Sequence, residues 1–192
     1  LSLLYGYDEP IPALMSQSEA RTLAENMPGA YGLLPSEEYF NRMTDPFILF
    51  TSERTRYKAF KDAYSGEVGS FGEFKEFLSG SKDGRDDPDS DEIDEENRLP
   101  EKFLMQAGET HGRLDAWTPP VGVEVVQIAG WGLDTVSGVE YTEKEETLCT
   151  RFMTSLYCRG TGKYLPIYDV KWTVDGDNVV VAPSALMLPK DD

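Results

Sequence analysis

"VGVEVVQIAGWGLDT", residues 121–135, decides how the chain is read. Apolar residues first alternate and then run together across Val123–Ala129, and Gly130 and Gly132 close the run with a bend. This pattern predicts a buried strand over 123–129 that ends in a glycine turn. Pro119 and Pro120 stop the element before it. That element is a predicted helix over 100–117, with Leu104, Ala107, His111 and Leu114 down one side. Downstream the chain reads as β-rich. A short strand is predicted over 138–142, a longer one over 147–158 and another over 164–174, with "RGTGK" (159–163) as a hairpin connection. On the last of these, Tyr164, Tyr168, Val170, Trp172 and Val174 share one face.

The first half is helical. Residues 14–27, "LMSQSEARTLAENM", carry a capping box in Ser16 and Glu19, then Ala20, Leu23, Ala24 and Met27 at helical spacing, with Pro28-Gly29 as the stop. Ser36 is placed to cap a second short helix whose first turn holds Glu37 and Glu38. Two further short helices are expected within 52–80. Residues 81–97, "SKDGRDDPDSDEIDEEN", bring too little apolar area to offset their ordering entropy and are expected to form a mobile, disordered acidic loop. Asp87, Asp89 and Asp91 alternate like the first ligands of a calcium loop, but Glu92 stands where that loop needs glycine and Arg98 where it needs glutamate. A solvated loop is therefore the expectation, and no metal site is assigned.

The formal charge of -17 opposes nucleic acid and anionic membranes. No apolar run approaches the roughly 20 residues of a spanning helix. The amino terminus lacks an initiator Met and a basic region, and is read as that of an excised or processed segment. Cys149 and Cys158 fall within one predicted strand, about 30 Å apart at the rise of extended chain, and are not expected to bridge.

A second stretch bears on chemistry. "VDGDNVVVAPSA", residues 174–185, is an acid-glycine-acid turn followed by valines and Pro-Ser. An aspartate at the carboxyl end of a strand can orient a histidine and stabilise the imidazolium formed when a serine is deprotonated. It can also simply cap a turn.

Three blocks in order, "ENMPGAYGLLPSEEYF", "VVQIAGWGLDT" and "DGDNVVVAPSA", resemble the lecithin:cholesterol acyltransferase and phospholipid:diacylglycerol acyltransferase family of α/β-hydrolases. Tyr31, Leu33, Leu34 and Pro35 match the first block, Gly130, Gly132 and Thr135 the second, and Gly176, Asp177 and Val180 the third, with Ser184 as the serine capping the next helix. Gly29 stands in place of a serine, Asn178-Val179 in place of Gly-Thr, and Val181-Ala182 intrudes before Pro183. The resemblance implies an α/β fold, a partial α/β-hydrolase-like sheet with a helical cap excursion and a β-hairpin insertion. It treats 1–192 as a single partial domain, with 50–116 as the cap and 121–181 as the β-rich part. Asp177 becomes the catalytic acid, with Asp175 as the reserve.

The other triad members are not evident. "VGSFG" (68–72) only approaches a nucleophile elbow, which leaves Ser70 a weak candidate, and His111 precedes the acid, contrary to the usual chain order. The implied function is a fragment of a serine-dependent lipid acyl-ester hydrolase or acyltransferase that supplies acid and cap, with no cofactor. Phe47, Phe50, Phe71, Phe74 and Phe77 would suit a lipid-facing lid, though that spacing also suits plain core. Expected partners are the remainder of the hydrolase domain and a lipid or other acyl-ester substrate. Exposed edges would favour poor solubility or a dimer. The alternative is a non-catalytic acidic binding or interaction module on a hydrolase-like scaffold.

Overall fold

The computed structural model describes Leu4 and residues 15–89, 92, 93, 95–152 and 155–186. It is a mixed α/β structure that divides into two compact units. One comprises 1–44, 69–130 and 182–192, and the other 45–68 and 131–181, so that the segment 50–116 contributes to both.

The first unit is helical. Helix α1 (Gln17–Glu25) begins at the capping box foreseen in the sequence: Ser16 Oγ accepts from the Glu19 N–H at 3.2 Å, and Glu19 Oε2 accepts from the Ser16 N–H at 2.7 Å. Position 14, where the sequence began this helix, lies outside the described residues. Its packing differs from the expectation, because Leu23 and Met27 are half exposed while Arg21 is buried at 4% exposure. The reason is polar. Arg21 donates to the backbone carbonyls of Asp89 at 3.0 Å, Glu95 at 3.1 Å and Glu92 at 3.2 Å, drawing that side of the helix onto the acidic segment.

Pro28 does not end the helical region but starts the one-turn helix α2 (Pro28–Tyr31), where a missing N–H costs nothing. Helix α3 (Glu37–Arg42) has the Ser36 cap. Helix α5 (Phe71–Ser79) and helix α6 (Glu101–Asp115) supply most of the remaining core, and α7 (Ala182–Ala185) is a single turn that contains Ser184 rather than following it. Tyr31 packs on Phe103 at 5.1 Å, and Phe40 on Phe74 at 5.2 Å. Burial, and beyond it the Glu25 carboxylate, pushes the Tyr31 phenol up to about 12. On α6, Leu104 and Ala107 are buried, His111 is half-buried and Leu114 is exposed, so the predicted apolar side is inward only over its first half.

Among its described residues the segment 84–97 has no helix or strand. It is nonetheless anchored, by Arg21, by Asn97 donating to Glu25, and by Arg85 lying over the Phe77 ring at 4.6 Å.

The second unit holds a four-stranded sheet in the order β2-β1-β3-β4: β1 (Ile48–Phe50), β2 (Glu67–Val68), β3 (Thr135–Phe152) and β4 (Ser155–Thr173). Helix α4 (Thr55–Tyr64) links the first two. Strand β1 runs parallel to β3, pairing Ile48, Leu49 and Phe50 with Val139, Glu140 and Tyr141, and antiparallel to β2. Phe50 stacks on Tyr141 at 5.4 Å, and Tyr57, Phe60 and Tyr64 from α4 close round this pair. Gly138 has a steric reason to be glycine, since a Cβ there would collide with the Phe47 carbonyl that accepts from the Val139 N–H.

Three sequence expectations are corrected. Residues 123–130 form no strand, and Val123, Val126 and Ile128 are exposed. Their period expresses β-propensity, but a strand exists only where a neighbour takes up its backbone groups. The strands predicted at 138–142 and 147–158 are parts of one antiparallel hairpin, and "RGTGK" lies inside β4 instead of joining two strands. The chain reverses between Phe152 and Ser155, which are paired with each other. Cys149 and Cys158 therefore stand directly opposite and are disulfide-bonded, the reverse of what a single continuous strand required.

The aromatic cluster on β1 is the packing centre of this unit. Phe50→Ala is expected to cost about 3–5 kcal/mol, read as a fall in the urea midpoint at unchanged slope, whereas Leu148→Ala on the exposed hairpin should leave the midpoint in place.

Candidate functional site

Two of the stretches singled out by the sequence, the glycine bend at Gly132 and the acid turn at Asp177, meet at the base of the hairpin, within the second unit. Gly132 N–H donates to the Val174 carbonyl at 2.7 Å and Leu133 N–H to Gly176 O at 3.1 Å, and Leu133 and Asp177 form a parallel bridge. The glycine bend and the acid turn are thereby laid side by side. Thr135, buried at 1% exposure, locks them together. Its Oγ1 donates to the Leu133 carbonyl at 2.9 Å and accepts from the Asn178 N–H at 2.8 Å. Gly176 must be glycine here, because a Cβ would run into the Thr135 side chain.

The acid turn itself is built by Asp177. Its Oδ1 accepts from the N–H groups of Val180 at 2.8 Å and Val179 at 3.0 Å, while its own N–H donates to the Val180 carbonyl at 3.3 Å. These donors, Val180 first and then Val179, hold the exposed carboxyl below the usual aspartate value. Among the described residues Oδ2 takes no hydrogen bond. One oxygen is fixed and the other stays open. Asp175 differs: its N–H donates to Thr173 Oγ1 at 3.1 Å, but no group among the described residues orients its carboxylate.

Asn178 has φ +76°, in the left-handed region. Asparagine enters that region more readily than other side-chain-bearing residues, which suits it to this turn.

The other candidates have different roles. Ser70 caps helix α5: its Oγ accepts from the Glu73 N–H at 3.3 Å and donates to Glu73 Oε2 at 2.9 Å. It does lie between a strand and a helix, β2 and α5, but β2 is a two-residue antiparallel edge strand and the hydroxyl is committed to the cap. His111 lies in the first unit, its Nε2–H donating to the Gly32 carbonyl at 2.9 Å, and it borders a cleft of about 350 Å³ with Glu37, Glu38 and Asp115 but no serine or cysteine. Asp87 Oδ1 is 3.9 Å from Arg98 Nε, the Asp89 N–H donates to Glu92, and Asp91 lies outside the described residues. Among the described residues no three metal-type ligands come together. Of the five phenylalanines proposed for a lid, Phe50, Phe74 and Phe77 are buried core. The residue that sequence reading valued only as a motif match is Thr135; its spacing from the glycine bend was visible, its hydroxyl bridge was not.

No family model, curated protein or solved structure matches the chain.

Two outcomes follow for the turn. Asn178→Val should destabilise the second unit by about 1–2 kcal/mol, while Asn178→Gly should be neutral or slightly stabilising, both read by thermal melts. Because the folded Asp177 carboxyl sits below its unfolded value, its contribution is complete above the unfolded value of about 3.9. It is lost as pH falls through the lower, folded value. A carbon-detected NMR titration should find Asp177 titrating below 3.9, and Asp177→Asn should remove that part of the acid sensitivity.

Proposed function

We propose that Asp177 is the acid of a serine-histidine-aspartate triad, and that this chain supplies it to a lipid acyl-ester hydrolase or acyltransferase of the lecithin:cholesterol acyltransferase type. The observation that carries the reading is the state of one carboxylate: Oδ1 is held by two backbone N–H groups beside the glycine bend, and Oδ2 is exposed. An orienting aspartate needs that combination, since it must hold an imidazole in one tautomer and stabilise its charged form without itself taking the proton. The parallel β1–β3 pair and the three sequence blocks in family order give further support for a hydrolase-like sheet.

In the proposed reaction the serine oxygen attacks the acyl carbonyl as its proton passes to the histidine. The ester C–O bond breaks, and the leaving alcohol takes that proton. Water or an acceptor alcohol then repeats the exchange on the acyl-enzyme, releasing acid or a new ester. Ser70 is committed to a helix cap and His111 to the Gly32 carbonyl. Nucleophile and histidine are therefore assigned to polypeptide outside residues 1–192. A purely structural role for Asp177, in a non-catalytic acidic module, is the second reading; it is favoured by the Asx-type turn that the same two N–H bonds complete.

The test is turnover of a nitrophenyl ester by the protein with its flanking polypeptide. Asp177→Asn is expected to lower kcat by roughly 10⁴-fold, with Asp175→Asn unaffected. Unchanged turnover in Asp177→Asn would refute the assignment.

A further inference from the structure

Beyond Tyr141, the last β3 residue paired with β1, the hairpin continues as a two-stranded ribbon. Cys149 lies eight residues further on, roughly 25 Å along an extended strand. Such a ribbon alone is marginally stable in water. Here the Cys149–Cys158 disulfide, with both residues exposed, closes it near the tip.

The tip carries large apolar side chains in water: Leu148 and Leu156 are each 67% exposed and Tyr157 is 64% exposed. They are not confined to one face. Leu148 pairs with Arg159 and Tyr157 with Thr150, which puts Leu148 and Tyr157 on one face; Leu156, two residues from Cys158, shares the opposite face with the disulfide. A protein groove covers one face of a ribbon. A fluid apolar phase surrounds both.

Charge makes the same distinction. Between Thr147 and Gly160 there is no aspartate or glutamate, and Arg151 and Arg159 stand there in a chain of net charge -17. The nearest acids are engaged, Glu146 with Lys163 at 4.0 Å and Glu145 with the Gly162 N–H at 2.9 Å. Charges further off are screened over roughly 8 Å in physiological salt. The repulsion that the whole chain offers an anionic surface is thus damped where the tip would meet it.

We propose that the tip of the β3–β4 hairpin is a docking element for an anionic phospholipid bilayer. Leu148, Leu156 and Tyr157 enter the interface, and Arg159 meets the headgroups. Among the described residues no helix is long and apolar enough to cross a membrane, and the proposed contact is an interfacial one made by the hairpin.

The experiment is co-sedimentation of the chain with mixed phosphatidylcholine–phosphatidylserine vesicles. Binding is expected, with loss in the Leu156→Ser/Tyr157→Ser variant and a roughly fivefold weaker partition in Arg159→Gln. The substituted side chains do not belong to the buried core, and near-ultraviolet circular dichroism checks that the variants keep their fold. As a second readout, the indole of Tyr157→Trp should be quenched by brominated phosphatidylcholine included in the vesicles. No sedimentation of the parent chain, equal sedimentation of the Leu156/Tyr157 variant, or an unquenched Trp at position 157 in the bound state each overturns the proposal. The measurement needs no ester turnover, so it is read separately from the Asp177 assay.

Discussion

Three residues of parallel pairing, Ile48–Phe50 against Val139–Tyr141, set the position of everything in the second unit. They place Phe50 against Tyr141 and give α4 an aromatic surface to cover. Because β3 starts at Thr135, its first side chain is available at the base of the hairpin, where it receives the Asn178 N–H and anchors the Leu133 carbonyl. The acid turn is thus tied to the sheet by this hydroxyl together with the Gly132 and Leu133 N–H bonds to Val174 and Gly176. Neither Asp177 nor Asn178 reaches the core by itself; both are exposed, Asn178 held through its N–H by a buried threonine and Asp177 by the Val179 and Val180 N–H groups.

Much of this was legible in the sequence, and the legible part shares a cause. The Ser16–Glu19 box, the Ser36 cap and the helices at 55–64, 71–79 and 101–115 are specified by contacts within four residues, which a linear reading sees. Long-range pairing was not legible. Strand β1 is only "ILF" after Pro46-Phe47, too short for a period to show, although an apolar run bounded by a proline and polar residues was a usable hint. The hairpin was divided at its glycines, because Gly160 and Gly162 are turn residues by composition yet sit inside β4. Misplacing that turn also separated the two cysteines. A reversal after Phe152 brings them together, and nothing in "RFMTSL" announces it.

Charge shows the same division. The total of -17 describes the molecule at long range, while the scarcity of apolar residues made the acidic segment look unable to hold any structure. Locally, one buried guanidinium among three backbone carbonyls outweighs that impression, since it satisfies the carbonyls of Asp89, Glu92 and Glu95 without touching their carboxylates. The candidate site follows the same rule. The Asp177 carboxylate is stabilised by neutral backbone N–H groups rather than by a cation, which leaves the turn's geometry largely insensitive to ionic strength.

The sulfur bridge in the hairpin carries one more implication. Extended ribbons with alternating side chains can slide by two residues and keep the same faces outward, so such an arm has several nearly equivalent ladders open to it while it forms. Joining Cys149 to Cys158 deletes all of them but one. Oxidation therefore acts as a ratchet on alignment near the tip, while the register shifts between Glu145 and Thr147 and between Val136 and Gly138 leave the pairing of Thr135 with Thr173 to be set at its own end of the ladder.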